Sequence, residues 1–152
     1  MAIFHCQAKA VSRASGRSAT ASAAYRSGES ITDRRTGEVY DYEKKQGVGY
    51  KEIITPDGSQ IDRSDLWNRA EEAEKRKDAK VAREWELALP SELTAEQRKD
   101  LACTFARMLV DRYGVVADVC IHEPSRISDQ RNHHAHILTC LLYTSPSPRD
   151  TR

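Results

Sequence analysis

The sequence predicts an α+β fold with a central, mostly antiparallel sheet and helices packed mainly on one side of it. Segments in which apolar and polar side chains alternate, as in half-buried strands, are interleaved with segments of helical periodicity. The last two strand-like segments are separated only by a polar loop, so they can pair directly. With 152 residues, of which 39% are hydrophobic, the chain suffices for about one domain with a modest core.

Three segments are predicted to be helical. Residues 18–26 are small and rich in alanine, which favours a short helix that stops near Gly28. Residues 62–82 begin with Asp and Ser cap candidates and are charged throughout, which indicates an exposed helix. Thr94 and Gln97 match a capping box. The helix behind this box is predicted to end near Gly114 and to have an apolar face of Leu101, Phe105, Met108 and Leu109.

The strands are predicted from alternation with a period of two. In residues 83–90, apolar side chains lie on one face, and Glu84 and Glu86 share the other. Residues 39–42 and 50–54 flank turn signals, which suggests a hairpin or two loosely paired strands. Further strands are predicted at residues 2–11, 115–122 and 134–139.

Composition excludes several classes of protein. Basic and acidic residues number 24 and 23, which is unlike a basic tail or an acidic disordered segment. No apolar run approaches the ~20 residues of a membrane helix, and the N-terminus lacks the apolar core of a secretory signal. The chain has four cysteines and no CxxC pair, which disfavours a zinc ribbon and fits small buried side chains in a reducing cytosol.

The histidines predict a metal site. His134 and His136 are two residues apart on a strand, so they point to one face, and His133 points to the other. Two histidines spaced in this way, without a third, also occur on polar surfaces that bind no metal. His122, at the end of the preceding strand, favours the metal reading because three convergent imidazoles can hold a divalent ion with an open position. His5, in the first predicted strand, is interpreted either as structural or as a residue that supports a metal ligand from behind.

A basic N-terminal region surrounds an unusual tyrosine. Residues 1–28 contain four basic side chains and no acidic one, which suits a phosphate-bearing partner. Tyr25 lies in the small-residue helix next to Arg26. A metal ion and guanidinium groups nearby would favour its phenolate form, although the pattern by itself also fits a tyrosine that only packs. The basic residues are Lys9, Arg13, Arg17 and Arg26.

Four segments together resemble the MobA/MobL-type conjugative relaxases, most closely the Ti-type TraA branch. They read HCQAKAVSRASGRSATASAAYRSGE at 5–29, DRRTGEVYDY at 33–42, AEKRKDAKVAREWELALPSEL at 73–93 and QRNHHAHILT at 130–139. These relaxases are HUH endonucleases, named for two histidines around an apolar residue, here His134, Ala135 and His136.

The resemblance implies a ferredoxin-like HUH palm and a set of functional residues. The nucleophile would be Tyr25, and the metal ligands would be His122, His134 and His136. Family members carry an acidic residue before the Ala-Leu-Pro strand end, here Glu86, which would orient a ligand histidine or take the tyrosine proton. Glu84 on the same strand face is the alternative. The DNA-binding residues would be Lys9, Arg13, Arg17 and Arg26.

The resemblance also implies a reaction, a cofactor and partners. The protein would nick single-stranded DNA at a plasmid transfer origin through a 5′-phosphotyrosyl intermediate, with Mg²⁺ or Mn²⁺ bound, or alternatively Zn²⁺ or Ni²⁺. Its partners would be the origin strand, accessory relaxosome proteins and a type IV coupling protein. It would act in the cytoplasm of the bacterial donor cell without inserting into a membrane.

Other readings of the same residues remain. A rolling-circle replication initiator or an HUH transposase would share the histidines, but its tyrosine usually follows them, whereas Tyr25 precedes them here. A metal-stabilised module that only binds single-stranded DNA would also explain the basic N-terminus. A hydrolase that uses metal-bound water would not need Tyr25.

The chain is expected to divide at its C-terminal end. Residues 1–139 read as the N-terminal part of a relaxase domain whose continuation is missing. Residues 140–152, CLLYTSPSPRDTR, resemble the translation of a sequencing-library adapter, and their run SPSPRD has no helix or strand periodicity. They are interpreted as a non-native tail. A genuine disordered tail is the alternative.

Overall fold

A computed structural model of the chain describes residues 6–74, 77, 80–124 and 133–141. In chain order its strands are β1 (Cys6–Ser12), β2 (Ser30–Thr32), β3 (Val39–Asp41), β4 (Val48–Ile54), β5 (Lys80–Leu89), β6 (Val116–His122) and β7 (His133–Cys140). Five of them form one sheet in the order β1-β5-β7-β6-β4, and every neighbouring pair is antiparallel. Strands β2 and β3 form a separate two-stranded sheet.

The helices begin and end close to the capping residues that the sequence offers. Helix α1 (Ala19–Ser27) begins after the N-cap Ser18 and ends at Gly28, whose φ of 68° is the left-handed conformation that glycine adopts at little cost. Helix α2 (Arg63–Ala73) has Asp62 as its N-cap. Helix α3 (Ala95–Tyr113) has the predicted capping box and ends at Gly114.

Helices cover both faces of the large sheet. Helices α1 and α2 pack on one face around a core that includes Val11, Ala23, Trp67 and Leu138. Helix α3 packs on the other face through a core that includes Leu87, Leu109, Val119 and Ile137. The α+β class and antiparallel sheet agree with the prediction. Two helices share one side as expected, and α3 adds a layer on the opposite side.

Two predicted elements differ in their pairing or extent. The expected hairpin does not form, because β3 pairs with β2 while β4 pairs with β6. Turn residues predict that the chain changes direction, but they do not predict which strands pair. The helix predicted over 62–82 ends at Ala73, and Lys80 already belongs to β5, which pairs with β1 and β7.

The buried face of α3 is rotated from the predicted one. Leu101 and Met108 are exposed, whereas Ala102, Ala106, Leu109 and Val110 are buried. Small alanine side chains let a helix approach a sheet closely, which leaves the longer side chains at its flank. Periodicity alone does not distinguish these two adjacent faces.

Some predictions concern residues outside the described ranges. These are the structural reading of His5 and most of the predicted tail, although Cys140 closes β7 and is buried. Cys120 is also buried, whereas Cys6 is exposed. Within the described part of the chain, no helix is long and apolar enough to span a membrane.

Candidate active site

Three histidines converge on the α1 face of the sheet. In the antiparallel register of β6 and β7, His122 lies directly opposite His134, and His136 follows two residues along the same face. Their ring centroids are 4.7–5.5 Å apart. One potential ligand nitrogen from each residue lies within 4.8 Å of the others. The three residues therefore form a candidate metal-binding group.

His122 is held in the form that a metal ion requires. Burial, together with the charges of nearby groups, lowers its pKa to about 4, so the imidazole is neutral at pH 7. Its Nε2 lies 2.8 Å from the backbone carbonyl oxygen of Arg26. Because a carbonyl only accepts hydrogen bonds, Nε2 carries the proton and the ring lone pair lies on Nδ1.

Glu84 connects the histidines to the basic N-terminal region. Its side chain is only 1% exposed, and Oε2 accepts a hydrogen bond from Arg26 Nε at 2.7 Å. The same oxygen lies 3.3 Å from His136 Nδ1, at an angle that departs from a well-aligned hydrogen bond. Burial would raise the pKa of this carboxyl group, but His136 and Arg26 hold it at about 2. Glu84 is therefore a carboxylate.

In the structure, the carboxylate that contacts His136 belongs to Glu84 and not to Glu86. Both side chains lie on the histidine face, and Glu86 is directly opposite His136 in the strand register. Among the described residues, however, Glu86 forms no ion pair. Glu84 reaches His136 on the diagonal, a distance that a long side chain can bridge. Arg26 from α1 meets it there, so the helix decides which of the two carboxylates is engaged.

Tyr25 stands on the exposed side of α1, one residue before Arg26. Its side chain is 43% exposed. Its ring meets the edge of Tyr42, with centroids 5.2 Å apart, and Lys45 Nζ lies 3.7 Å from the ring centroid. The hydrogen bond from His122 to Arg26 ties this last turn of α1 to the histidine group. Tyr25 and the three histidines therefore belong to one region of the molecule.

Three of the four predicted DNA-binding residues gather at Glu84. Lys9 Nζ and Arg17 Nη2 lie 3.9 Å and 3.4 Å from Glu84 Oε1, and Arg26 completes the set. Three cations around one carboxylate leave a positive local charge, and Lys9 and Arg17 are 47% and 33% exposed. They are available to an anionic ligand.

The fourth residue, Arg13, has a different position. Its side chain is 12% exposed, and its guanidinium donates to the buried carboxylate of Glu71 at 2.6 Å and to the carbonyl of Glu74 at 2.8 Å. Glu71 also accepts a hydrogen bond from the backbone N–H of Ala19, at the start of α1. The Arg13 bonds fasten the turn after β1 to α2, and the Ala19 bond fastens the start of α1 to it. Arg13 therefore lies partly buried against α2 and does not belong to the basic group around Glu84.

Lys45 is a residue of this region that sequence reasoning did not find. It lies in the loop between β3 and β4, and no motif or spacing marks it. Its place beside Tyr25 depends on hydrogen bonds that tie the loop to residues distant in the sequence. Such long-range anchors leave no local pattern.

The donor set fits a divalent metal ion. Three imidazoles with ligand nitrogens this close, one of them held neutral, match the nitrogen ligands of zinc and transition-metal sites. Glu84 behind His136 supplies the carboxylate that commonly supports a ligand histidine. The fold and the site thus define an α+β protein with a three-histidine group on an antiparallel sheet and a neighbouring exposed tyrosine.

Comparisons with known proteins give the family. The model of the MobA/MobL family matches residues 17–146. The chain is 47% identical over 167 residues to "Mobilization protein MobL" of Acidithiobacillus ferridurans, a match that covers 96% of this chain and 44% of the relative. It is 38% identical over 154 residues to "Conjugal transfer protein TraA" of Rhizobium radiobacter, covering 93% and 14%. The chain belongs to the MobA/MobL family.

A solved structure supports this assignment. It is described as the "Molecular Basis of Vancomycin Resistance Transfer in Staphylococcus aureus" and superposes with a TM-score of 0.83 at 38% sequence identity. The match covers 92% of this chain and 71% of the other. The predicted fold class and family are thereby confirmed. The chain spans less than half the length of the two curated relatives named above.

Proposed function

We propose that this protein is a conjugative relaxase that nicks one DNA strand at a plasmid transfer origin and becomes covalently linked to it. Relatives named for mobilization and conjugal transfer support this proposal. The observation that carries it is the hydrogen bond from His122 to the carbonyl of Arg26, at 2.8 Å. This bond fastens the helix that carries an exposed tyrosine to the candidate metal-binding group. A tyrosine nucleophile and a metal ion that act on the same DNA phosphate must lie close together in this way.

In this proposal His122, His134 and His136 hold the metal ion. Mg²⁺ or Mn²⁺, or alternatively Zn²⁺ or Ni²⁺, would supply positive charge there that stabilises a phosphate under attack. The carboxylate of Glu84 lies beside Nδ1 of His136, where it would favour one orientation of the ring, and it binds Arg26 at the same time. It acts as a positioning residue, because its contacts are with protein groups.

Tyr25 is the proposed nucleophile. Its phenolic oxygen attacks phosphorus, so a Tyr25 Oη–P bond forms while the bond from phosphorus to the 3′ oxygen breaks. The phenolic proton leaves to solvent or a nearby base, and the departing 3′ oxygen takes up a proton to give a 3′-hydroxyl. One phosphodiester replaces another, so the step is nearly isoenergetic and the strand can be rejoined by the reverse reaction.

The DNA strand is proposed to cross the basic group around Glu84. Lys9 and Arg17 are exposed enough to bind phosphates, and Arg26 lies next to the nucleophile. Such contacts are electrostatic, so affinity should fall as salt rises. In the cell the partners of this proposal are accessory relaxosome proteins and a type IV coupling protein, in the cytoplasm of the donor.

The test is formation of a covalent adduct. A single-stranded oligonucleotide that carries the transfer-origin nick site, labelled at its 3′ end, is incubated with the protein and Mg²⁺ or Mn²⁺ and run on a denaturing protein gel. The wild-type protein should give a shifted labelled band, and a 5′-labelled strand should give a product that a polymerase can extend from its 3′-hydroxyl.

The Tyr25→Phe variant keeps the ring and all charges, so it should bind the same strand but give neither product. Tyr42→Phe is the matched control because Tyr42 contacts the Tyr25 ring, and Tyr40→Phe and Tyr50→Phe should also behave like wild type. Loss of the adduct in a control and not in Tyr25→Phe would mean that another tyrosine attacks. Cleavage that needs no tyrosine would indicate a hydrolase and overturn the proposal.

A further inference from the structure

The loop between β3 and β4 is anchored to both parts of the candidate active site. At its start, Tyr42 N–H donates to the carbonyl of Glu29, just beyond α1, at 3.1 Å. At its end, the carbonyl of Gly47 accepts from the N–H of Glu123, the residue after His122, at 2.8 Å. The loop therefore spans from the end of the Tyr25 helix to the end of the His122 strand.

This anchored loop places Lys45 on Tyr25. A turn in which Lys45 N–H donates to the carbonyl of Tyr42 at 2.9 Å sets the backbone. The side chain then brings Nζ to 3.7 Å from the centroid of the Tyr25 ring, well within the range of a cation–π contact. The loop also packs on the end of α1, where a side chain at Gly28 would come within 3.9 Å of the backbone carbonyl of Lys45.

The charge of Lys45 is not committed elsewhere. Among the described residues it forms no ion pair, in contrast to Lys9, Arg17 and Arg26, which share Glu84. Lys45 is partly buried, and its ammonium group lies against the ring of the exposed Tyr25 without a carboxylate partner among the described residues.

We propose that Lys45 binds a non-bridging oxygen of the phosphodiester that Tyr25 attacks. This inference rests on the proposed function and adds a residue to it. A lysine ammonium has three N–H donors. It can therefore keep its contact with the Tyr25 ring while another N–H donates to a phosphate oxygen. It would stabilise the extra negative charge that develops on the phosphate as Tyr25 attacks, and it would keep the tyrosine ring in place.

The experiment compares Lys45→Met with Lys45→Arg. Methionine keeps much of the length and removes the charge, whereas arginine keeps a cation over the ring. The matched control is Lys99→Met, because Lys99 Nζ also lies over a tyrosine, 4.5 Å from the Tyr50 centroid, on the other side of the sheet. Each variant is assayed for single-turnover adduct formation at saturating enzyme, for affinity to the same oligonucleotide by fluorescence anisotropy, and for its thermal unfolding midpoint.

We expect Lys45→Met to slow adduct formation by about 10- to 100-fold, somewhat less than the loss of a fully buried oxyanion donor, because Lys45 is partly exposed to solvent. Its affinity and unfolding midpoint should change little, and Lys45→Arg should recover most of the rate. A rate within twofold of wild type in Lys45→Met, or an equal loss in Lys99→Met, would overturn the inference and leave the relaxase proposal standing. Absence of an adduct in the wild-type protein would overturn both.

Discussion

The carboxylate of Glu84 lies 3.3 Å from Nδ1 of His136, and the same oxygen accepts a hydrogen bond from Arg26. One buried side chain thus joins a candidate metal ligand on the sheet to the helix that carries Tyr25. Because Glu84 is 1% exposed and charged, its contacts are only weakly screened by solvent. A change at this position should therefore affect both metal binding and the position of the helix that carries Tyr25.

Glu84→Gln should lower metal affinity or nicking activity by about 10- to 100-fold, the usual cost of losing a carboxylate behind a ligand histidine. Glu86→Gln is the matched control, since it makes the same change two residues away on the same strand face. Isothermal titration with Mn²⁺ and the adduct assay measure the two effects. If Glu86→Gln is damaging and Glu84→Gln is silent, the carboxylate that supports His136 has been assigned to the wrong residue.

His134→Ala and His136→Ala should each abolish Mn²⁺ binding at micromolar concentrations, because two imidazoles hold a divalent ion weakly. His133→Ala should have little effect, since His133 pairs with Leu89 and lies on the opposite face of β7. Metal titration followed by the adduct assay provides the measurement. Equal losses in His133→Ala and His134→Ala would contradict the assignment of strand faces.

Metal removal should lower the thermal stability of the folded protein. An ion that binds only the native state adds about 2.7 kcal/mol when its concentration is one hundred times Kd. Differential scanning calorimetry with Mn²⁺, and again after EDTA, should show an unfolding midpoint that rises and then returns. The His136→Ala variant should show no rise. A midpoint that is indifferent to Mn²⁺ in the wild-type protein would argue against a metal site at the three histidines.

Arg13 and Arg17 should differ in the property that they control. Arg13→Ala leaves the buried Glu71 carboxylate without its closest cation. The free energy of unfolding, measured with urea, should therefore fall by about 3–5 kcal/mol. Arg34→Ala, which removes an exposed pair with Asp65, should cost less than about 1 kcal/mol.

Arg17→Gln should leave stability nearly unchanged and should reduce the salt dependence of single-strand binding, with a change in slope of about 0.7 for one lost phosphate contact. The slope comes from fluorescence anisotropy titrations with the origin oligonucleotide at several salt concentrations. An unchanged slope in Arg17→Gln, together with a reduced slope in Arg13→Gln, would reverse the roles given to these two residues.

Local patterns predicted the elements that depend on local physics. The end of α1 at Gly28 and the capping box at Thr94 and Gln97 follow from backbone conformation and hydrogen bonds within a few residues. The shared face of His134 and His136 follows from the period of a strand. The pairing of their strand with the one that ends at His122 was expected because only a loop separates them, and it completes the three-histidine group.

Other features depend on contacts between distant segments, and no local pattern could predict them. The choice of Glu84 over Glu86 depends on where α1 brings Arg26, 58 residues earlier in the chain. Arg13 packs against α2 because it pairs with the buried carboxylate of Glu71, and Lys45 reaches Tyr25 because hydrogen bonds anchor its loop at Glu29 and Glu123.

The sequence alone therefore determined the fold class, the family resemblance and the candidate histidines and tyrosine. Strand period, helix caps and motif order depend on residues that are close together in the chain, so they can be recognised without the structure. The tertiary structure alone decided which carboxylate contacts His136, which basic residues surround that carboxylate and which lysine lies over the Tyr25 ring. Those choices depend on packing α1 and the β3–β4 loop against the sheet, and side chains of the same chemical type become inequivalent only once that packing exists.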